Sequence, residues 1–487
     1  MKKYIQSMMA FAAIVSFASC SSEDNNTTIE NESATKVMTF TATQEGDEQS
    51  TRAAISTSDS KVINWEEGDK ISLLYGKTNN QFTLKNGAGT KSATFQGVAA
   101  SAETYTAVYP YQSEASYDTS NGNVTGITLK PTQTATANSF DKEAALMMAK
   151  SDNTTLEFKN AVGYVKVKPR FACSKIVLQA ARASEYLAGM CTLSYGDGMP
   201  SIAFTSDQST SITLSGTITA NTVYYIAVPA VTLTAGWSIS FTDNTGDVYT
   251  RTGSNSITFK RNTIINLGEF SRTDNNLKLT LTQNGKVPAD KQVDMGVFNI
   301  GGTKYRLIFA KSNLTTTGLA ANESDYGDYF AWGAKEPWYL SISGDTFTWK
   351  PDHSSGYASG TAPAFSPEYT SEKDFEMSDD PARKILGSDW QIPTKAIWDV
   401  LVNISTKRWD SGYKFTNNSQ TLFLPAAGYV RGKNFSERGS GARYWSGTAY
   451  SSSNAYRLSF SASKLNVGNI ARQYGCSVRP VRLVAVD

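Results

Sequence analysis

KISLLYGKTNNQFTLKNGAGTKSATFQG, residues 70–97, falls into three short runs, Lys70–Gly76, Asn80–Lys85 and Ser92–Gly97, parted by Gly- and Asn-rich turns. Runs of this length bounded by such turns read as strands. The pattern continues on both sides. Upstream, VMTFTAT (Val37–Thr43) alternates, placing Met38, Phe40 and Ala42 on one face, and KVINW (Lys61–Trp65) follows. Downstream comes TYTAVYP (Thr104–Pro110). Many short strands at this spacing predict an antiparallel sandwich or barrel. NGAGTKS (Asn86–Ser92) lacks the spacing of a phosphate-binding loop and is expected to be a hairpin turn. Trp65 is expected in the core, and the adjacent Glu66 and Glu67 would point to opposite faces of a strand, a poor catalytic pair.

The amino terminus differs in character. Lys2 and Lys3 precede a mostly apolar run from Tyr4 to Ser19, of the length of a signal-peptide core and short of the roughly twenty residues a membrane span needs. Residues 1–19 are therefore expected to be a signal peptide. Phe17-Ala18-Ser19-Cys20 resembles a bacterial lipobox with Phe in place of the usual Leu, which makes Cys20 the expected lipidation site; an ordinary secretory signal is the other reading. Ser21-Ser22-Glu23-Asp24 resembles the acidic signal that sends lipoproteins of Gram-negative anaerobes to the outer face of the outer membrane. Residues 20–36, rich in Asn, Ser, Thr and Glu, read as a lipidated flexible tether.

The chain has 487 residues, 46 Lys plus Arg and 44 Asp plus Glu. Removing Lys2 and Lys3 leaves 44 against 44, so no basic surplus exists to bind nucleic acid. The length suggests about three domains. Cys173, Cys191 and Cys476 remain beyond Cys20; Cys173 and Cys191 could pair or stay as buried thiols. The single histidine, His353, lies in a polar loop and cannot build a His-rich metal site. No cofactor, metal or catalytic residue is expected, and the chain is not read as an enzyme.

After Lys36 the order is two β-rich segments, 37–152 and 153–272, a polar linker at 273–292 with one short strand in LKLTL, and a compositionally distinct segment at 293–487. Seven of the nine Trp lie in that last segment. Helix signals appear only there. Asp380 caps DDPARKILG with Pro381 at the first position and Gly387 as stop; Thr394 caps PTKAIWDVLVN, whose Ile397, Trp398, Val400 and Leu401 form an apolar stripe. Arg479 and Arg482 alternate with Val478 and Val481 in a late core strand.

Two resemblances attach to these segments. TRAAISTSDSKVINWEEGDKISLLYG, ALMMAKS (Ala144–Ser151), LEFKNAVGYVKVKP (Leu156–Pro169), TVYYIAVPAVTLTAGWSISFTD (Thr222–Asp243) and NTIINLGEF (Asn262–Phe270) follow the order of the fimbrillin family, with Asn160 where His is common. MGVFNIGGTKYRLIFAKSNL, YGDYFAWGAKEPW, ILGSDWQIPTKAIWDVL, LFLPAAGY, ARYWSGTAY and YGCSVRPVR resemble the major paralogous domain abbreviated FISUMP, related to C-type-lectin-like folds. Together they imply a mainly β protein: two transthyretin-like β-sandwich domains followed by an α+β C-type-lectin-like domain. The fimbrillin resemblance implies a cell-surface lipoprotein adhesin, a minor or tip fimbrial subunit or a fimbrillin-like surface binder; the alternative is a stand-alone glycan-binding lipoprotein of a nutrient-uptake system. It further implies proteolytic maturation after Arg52 and assembly with other subunits by strand exchange, in which an extended segment fills the groove left by a removed first strand. In the last domain Trp338, Tyr339, Trp349 and Tyr450 stand in polar, loop-like context and are the candidate ligand-binding residues, for a glycan or a host or bacterial surface protein. Glu336-Pro337-Trp338 and Trp445-Ser446-Gly447 lack the oxygen ligands of calcium-binding lectins.

Overall fold

The computed structural model describes residues 35–45, 64–334, 336–337, 339–343, 346–349, 369–404, 406–417, 419–431 and 434–486. The signal peptide, Cys20, Arg52, Trp338 and His353 lie outside the described residues. The described chain is mainly β, with short helices only.

Seven strands close on themselves near the amino terminus: β1 (Lys36–Gln44), β2 (Lys70–Tyr75), β3 (Thr78–Asn86), β4 (Ser92–Ala99), β5 (Tyr105–Tyr109), β6 (Met147–Ser151) and β7 (Thr155–Asn160), in the order β1-β7-β6-β5-β2-β3-β4. Closure depends on β1, which runs antiparallel to β4 from Lys36↔Ala99 to Thr43↔Ser92 and parallel to β7 from Thr41↔Thr155 to Gln44↔Phe158. The alternation read in VMTFTAT is the barrel's in–out pattern: Phe40 and Ala42 are fully buried, while Thr39 and Thr41 face outward. Trp65 fills the centre, edge-on to Phe95, Tyr109 and Phe158 at 5.0–5.5 Å between centroids. The NGAGTKS stretch is the β3–β4 connection.

Strand pairing runs across the expected 152/153 boundary. β7 belongs to the barrel, whereas the strands Ser116–Asp118 and Asn123–Leu129 pair onward to Ala188–Gly196, and Thr132–Thr134 pairs with Ser211–Ile218. Val124, Ile127 and Leu193 join the barrel's own core. A second core gathers Val165, Val167, Ile176, Leu214, Ile226 and Phe241 between a three-stranded and a six-stranded sheet. The lysines of GYVKVKP are half-exposed while its valines are buried, the pattern of a strand with one wet face. Residues 273–292 are packed: Lys278–Thr280 adds an edge strand to the six-stranded sheet, and Leu277, Asn284 and Val287 are buried.

In the last segment the strand Thr303–Ala310 pairs antiparallel with Val481–Ala485, so the ends of the segment are stitched together. Next come the hairpin β8 (Tyr339–Ser343) and β9 (Thr346–Trp349), helices α1 (Pro381–Leu386) and α2 (Lys395–Val402), and the long hairpin β10 (Gly441–Ala449) and β11 (Asn454–Ser461). Both helices have the caps read from the sequence: the Asp380 side chain accepts from Ala382 N–H, and Thr394 accepts from Ile397 N–H. The stripe of α2 is buried at Ile397, Trp398 and Leu401. Trp390, Trp398 and Trp445 are core residues whose indole N–H groups donate to the carbonyls of Asn284, Trp445 and Phe330. Gly428 is required by its left-handed φ of 67°, and a Cβ there would meet Ser436 O at 2.4 Å. Cys173, Cys191 and Cys476 are buried thiols, none of them in a disulfide among the described residues. Burial pushes the Cys191 and Cys476 thiols up to about 12.

Candidate functional site

Among the candidate ligand-binding residues, Tyr450 is the one whose side chain the structure describes, and it is 46% exposed. It stands at the turn between β10 and β11, where Tyr450 N–H and Ser451 N–H both donate to Asn454 O. Its ring meets Tyr456 edge-on, 5.3 Å between centroids at 89°. Tyr456 donates through its hydroxyl to Glu372 Oε2 at 2.8 Å, and the Lys395 ammonium lies 5.4 Å from the Tyr456 ring centre. Lys395 also holds Asp399 at 2.9 Å, one helical turn away on α2. Met377, 74% exposed, lies shortly after the strand Lys373–Asp374, which pairs with β10 at Thr448 and Ala449.

Buried contacts fix this patch from behind. Lys395 N–H donates to Thr448 Oγ1 at 2.8 Å, and Thr448 donates to Asp374, so α2, β10 and the Lys373–Asp374 strand share one bonded corner. Arg472 is nearly buried, lies over the Trp332 ring at 4.4 Å, and donates to the carbonyls of Tyr369, Ser451 and Asn454. It thereby holds the turn that carries Tyr450. Desolvation and then the Glu372 hydrogen bond raise the Tyr456 hydroxyl above its ordinary value, and the Asp399 hydrogen bond raises the Lys395 ammonium. The patch brings together two aromatic rings, the Glu372 and Asp399 side chains and the Lys395 ammonium. Such a surface can take the C–H face of a sugar on a ring and its hydroxyls on Glu372, or an apolar and charged protein surface.

The other candidates group differently. The backbone pairs Tyr339 directly with Trp349 across the β8–β9 hairpin. Tyr456, Lys395, Glu372 and Met377 were not singled out by sequence reasoning. Tyr456 lies between buried Ala455 and Leu458 in β11 and reads as one more sheet residue, and Lys395 reads as an ordinary first-turn helix residue.

A larger opening, a cleft of about 830 Å³, lies where the connecting segment meets the last domain and is lined by Arg272, Lys278, Asp294, Arg306, Asn417 and Gln420. Its arginines already have partners, Arg272 with Asp243 at 3.0 Å and Arg306 with Asp294 at 2.6 Å, which gives this region a structural role. Among the described residues no cluster of His, Cys, Asp and Glu is placed to hold a metal ion, and no helix is long and apolar enough to cross a membrane.

A second candidate feature is the seat of β1. Phe40 packs edge-on against Phe82 and Tyr105 at 5.4 and 4.9 Å. Just beyond the strand, Glu45 N–H donates to Phe158 O at 2.8 Å, and the Glu45 carboxylate accepts from Asn160 N–H at 3.1 Å and from the Arg261 guanidinium. Arg261 belongs to the turn between Ile257–Phe259 and Ile264–Phe270, so the end of β1 is tied to the second core region.

Comparison with known proteins gives one family match: residues 399–481 match the model described as Domain of unknown function (DUF8237). None of the curated proteins compared matches the chain. Among solved structures, the chain is similar to a protein provisionally described as a cell adhesion protein from Bacteroides uniformis, at 15% identity over 44% of this chain and 91% of that one, TM-score 0.31. It is similar to a fimbrial protein from Bacteroides ovatus at 11% identity over 91% of this chain and 98% of that one, TM-score 0.27. A third likeness is to the tip fimbrial protein Mfa3 from Porphyromonas gingivalis, truncated at its C-terminus, at 8% identity over 50% and 98%, TM-score 0.22.

Proposed function

We propose that the chain is a cell-surface adhesion subunit whose β-rich amino-terminal two-thirds carry a FISUMP-like, lectin-like binding domain at residues 293–487. Export and lipidation at Cys20 would anchor it on the outer membrane, facing outward. The domain binds a glycan or a surface protein through the Tyr450–Tyr456 pair. The observation that carries this reading is that pair: the exposed Tyr450 ring edge-on to the half-buried Tyr456 ring, with Tyr456 bonded to Glu372 and flanked by Lys395, on a turn that Arg472 holds from behind. With one exposed aromatic ring at its centre, the patch is expected to bind weakly at a single site, and many copies on one cell would supply avidity.

The test is an array of glycans and extracellular-matrix proteins probed with the mature chain and with Tyr450→Ala. At least one ligand should bind, and Tyr450→Ala should weaken it about tenfold, the loss of a few contacts at a hot spot, with an unchanged melting temperature. Absence of any ligand, or binding indifferent to Tyr450→Ala, would sink the reading.

Assembly by strand exchange is the second half of the proposal. Cleavage after Arg52 would leave β1 held only by non-covalent contacts between β4 and β7. One observation favours the alternative, a lipoprotein that works alone: β1 is already paired on both edges and latched through Glu45, so the barrel is complete in one chain. N-terminal sequencing of the protein from native cells separates the two. Chains beginning at Ala53 in a heat-labile ladder mean exchange; a blocked Cys20 on a single band means the stand-alone form.

A further inference from the structure

We infer that the groove occupied by β1 selects its incoming strand by a carboxylate, read by Arg261, and not by apolar side chains alone. This rests on the strand-exchange reading above.

Departure of β1 would expose three kinds of group. The first is the apolar seat of Phe40 and Ala42, lined by Phe82 and Tyr105. The second is the pair of strand edges on β4 and β7, which any extended backbone can satisfy. The third lies at one end and is polar. The Arg261 guanidinium loses the only carboxylate partner it has among the described residues, and Asn160 N–H loses its acceptor, Glu45 Oε2. Arg261 also touches Met199 Sδ at 3.0 Å, and its Nε is buried with no partner among the described residues, so little else among them could take up its charge. An unpaired cation in a partly buried site is costly, which makes the presence of an acid in the entrant a strong criterion. The required segment follows from the register: a large apolar residue, a small one two positions on, and a carboxylate three further, as in Phe40, Ala42 and Glu45. The partner is therefore an extended segment of another subunit with that pattern.

The resident strand also carries a defect. Both polar atoms of the Gln44 side chain are buried with no hydrogen-bond partner among the described residues. A strand that keeps the acid but places an apolar residue at the Gln44 position removes that defect and should displace β1.

The experiment uses the full mature chain with a protease site introduced between Glu45 and Trp65, nicked there, and mixed with a labelled peptide spanning Lys36–Glu45. Incorporation into the folded, gel-filtered protein is the readout. The wild-type peptide should enter, its Glu45→Gln form should enter about tenfold less well, and its Gln44→Val form better than wild type. In a chain carrying Arg261→Gln, the wild-type and Glu45→Gln peptides should become equivalent. Because the peptide variants leave the chain untouched, a folding failure of the Arg261→Gln chain does not remove the test. Equal entry of the wild-type and Glu45→Gln peptides into the unsubstituted chain overturns carboxylate selection while leaving strand exchange standing. Entry of no peptide overturns strand exchange, and the selection inference with it.

Discussion

Arg482 and Asp247 are the most consequential side-chain pair outside the candidate site. The arginine is 1% exposed and the aspartate fully buried; they meet at 2.6 Å, and Gln292 and the Thr282 N–H supply further hydrogen bonds. Removing one member of such a pair leaves an uncompensated buried charge. Asp247→Asn is expected to cost about 3–5 kcal/mol in urea unfolding. The double change to Asp247→Leu with Arg482→Met should cost less than the single, because no charge is left stranded. The sequence showed Arg479 and Arg482 alternating with valines. It did not show that both cations are interior, since an arginine's partner cannot be read from strand periodicity. Asp380 gives a pH-dependent case. Burial outweighs its hydrogen bonds from Ile392 and Ala382 and raises its carboxyl to about 6, from an ordinary 3.8. The folded state then binds a proton more readily than the unfolded state between those values. Its contribution to stability is therefore greatest at low pH and is lost as pH rises from about 4 to 6. Asparagine cannot titrate there. The stability of the wild type minus that of Asp380→Asn should accordingly shrink across that window, and a flat or rising difference would contradict the assignment.

Elements were legible where a local rule fixes them. Helix α1 begins and ends where Asp380, Pro381 and Gly387 place it, and α2 begins where Thr394 places it, because caps act within a few residues. β1 was legible because its alternation is clean, and its two buried positions carry its hold on the barrel. Phe40→Ala should cost about 3–5 kcal/mol, whereas Val37→Ala, at a position 66% exposed, should be near neutral. Equal effects at the two sites would mean that β1 does not seat as described. Less legible was which strand pairs with which. Asn123–Leu129 and Thr132–Thr134 read as a continuation of the first segment, yet they pair with strands some sixty to eighty residues later, as in Gly189↔Leu129 and Thr213↔Thr132. Register partners at that separation are chosen by tertiary packing, which period-two alternation does not encode. The candidate site divides the same way: Tyr450 was visible as an aromatic in a polar turn, and its neighbours Glu372 and Lys395 became neighbours only through the fold.

For the whole molecule, the junction between the second core region and the last domain determines whether the Tyr450–Tyr456 patch rides on a hinge or on a rigid support. Linkers between independent domains are usually exposed and polar. Here the connecting segment supplies an edge strand and buried residues, Arg482 crosses to Asp247, and Arg272 reaches from Asp243 to Ala485 O while stacking on Phe171 at 4.6 Å. Interiors packed with paired charges do not open piecemeal, because a half-opened state strands each charge in a poor solvent. The two regions should therefore unfold together. Seven of the nine tryptophans lie beyond residue 290, so fluorescence reports mainly on the last domain, and far-UV dichroism reports on all the sheets. In thermal or urea unfolding of the mature chain the two signals should share one midpoint. In Asp247→Asn, fluorescence should move first, since the last domain then loses its support. Separate midpoints in the wild type would mean that the two regions are independent, and that the junction opens before either core does.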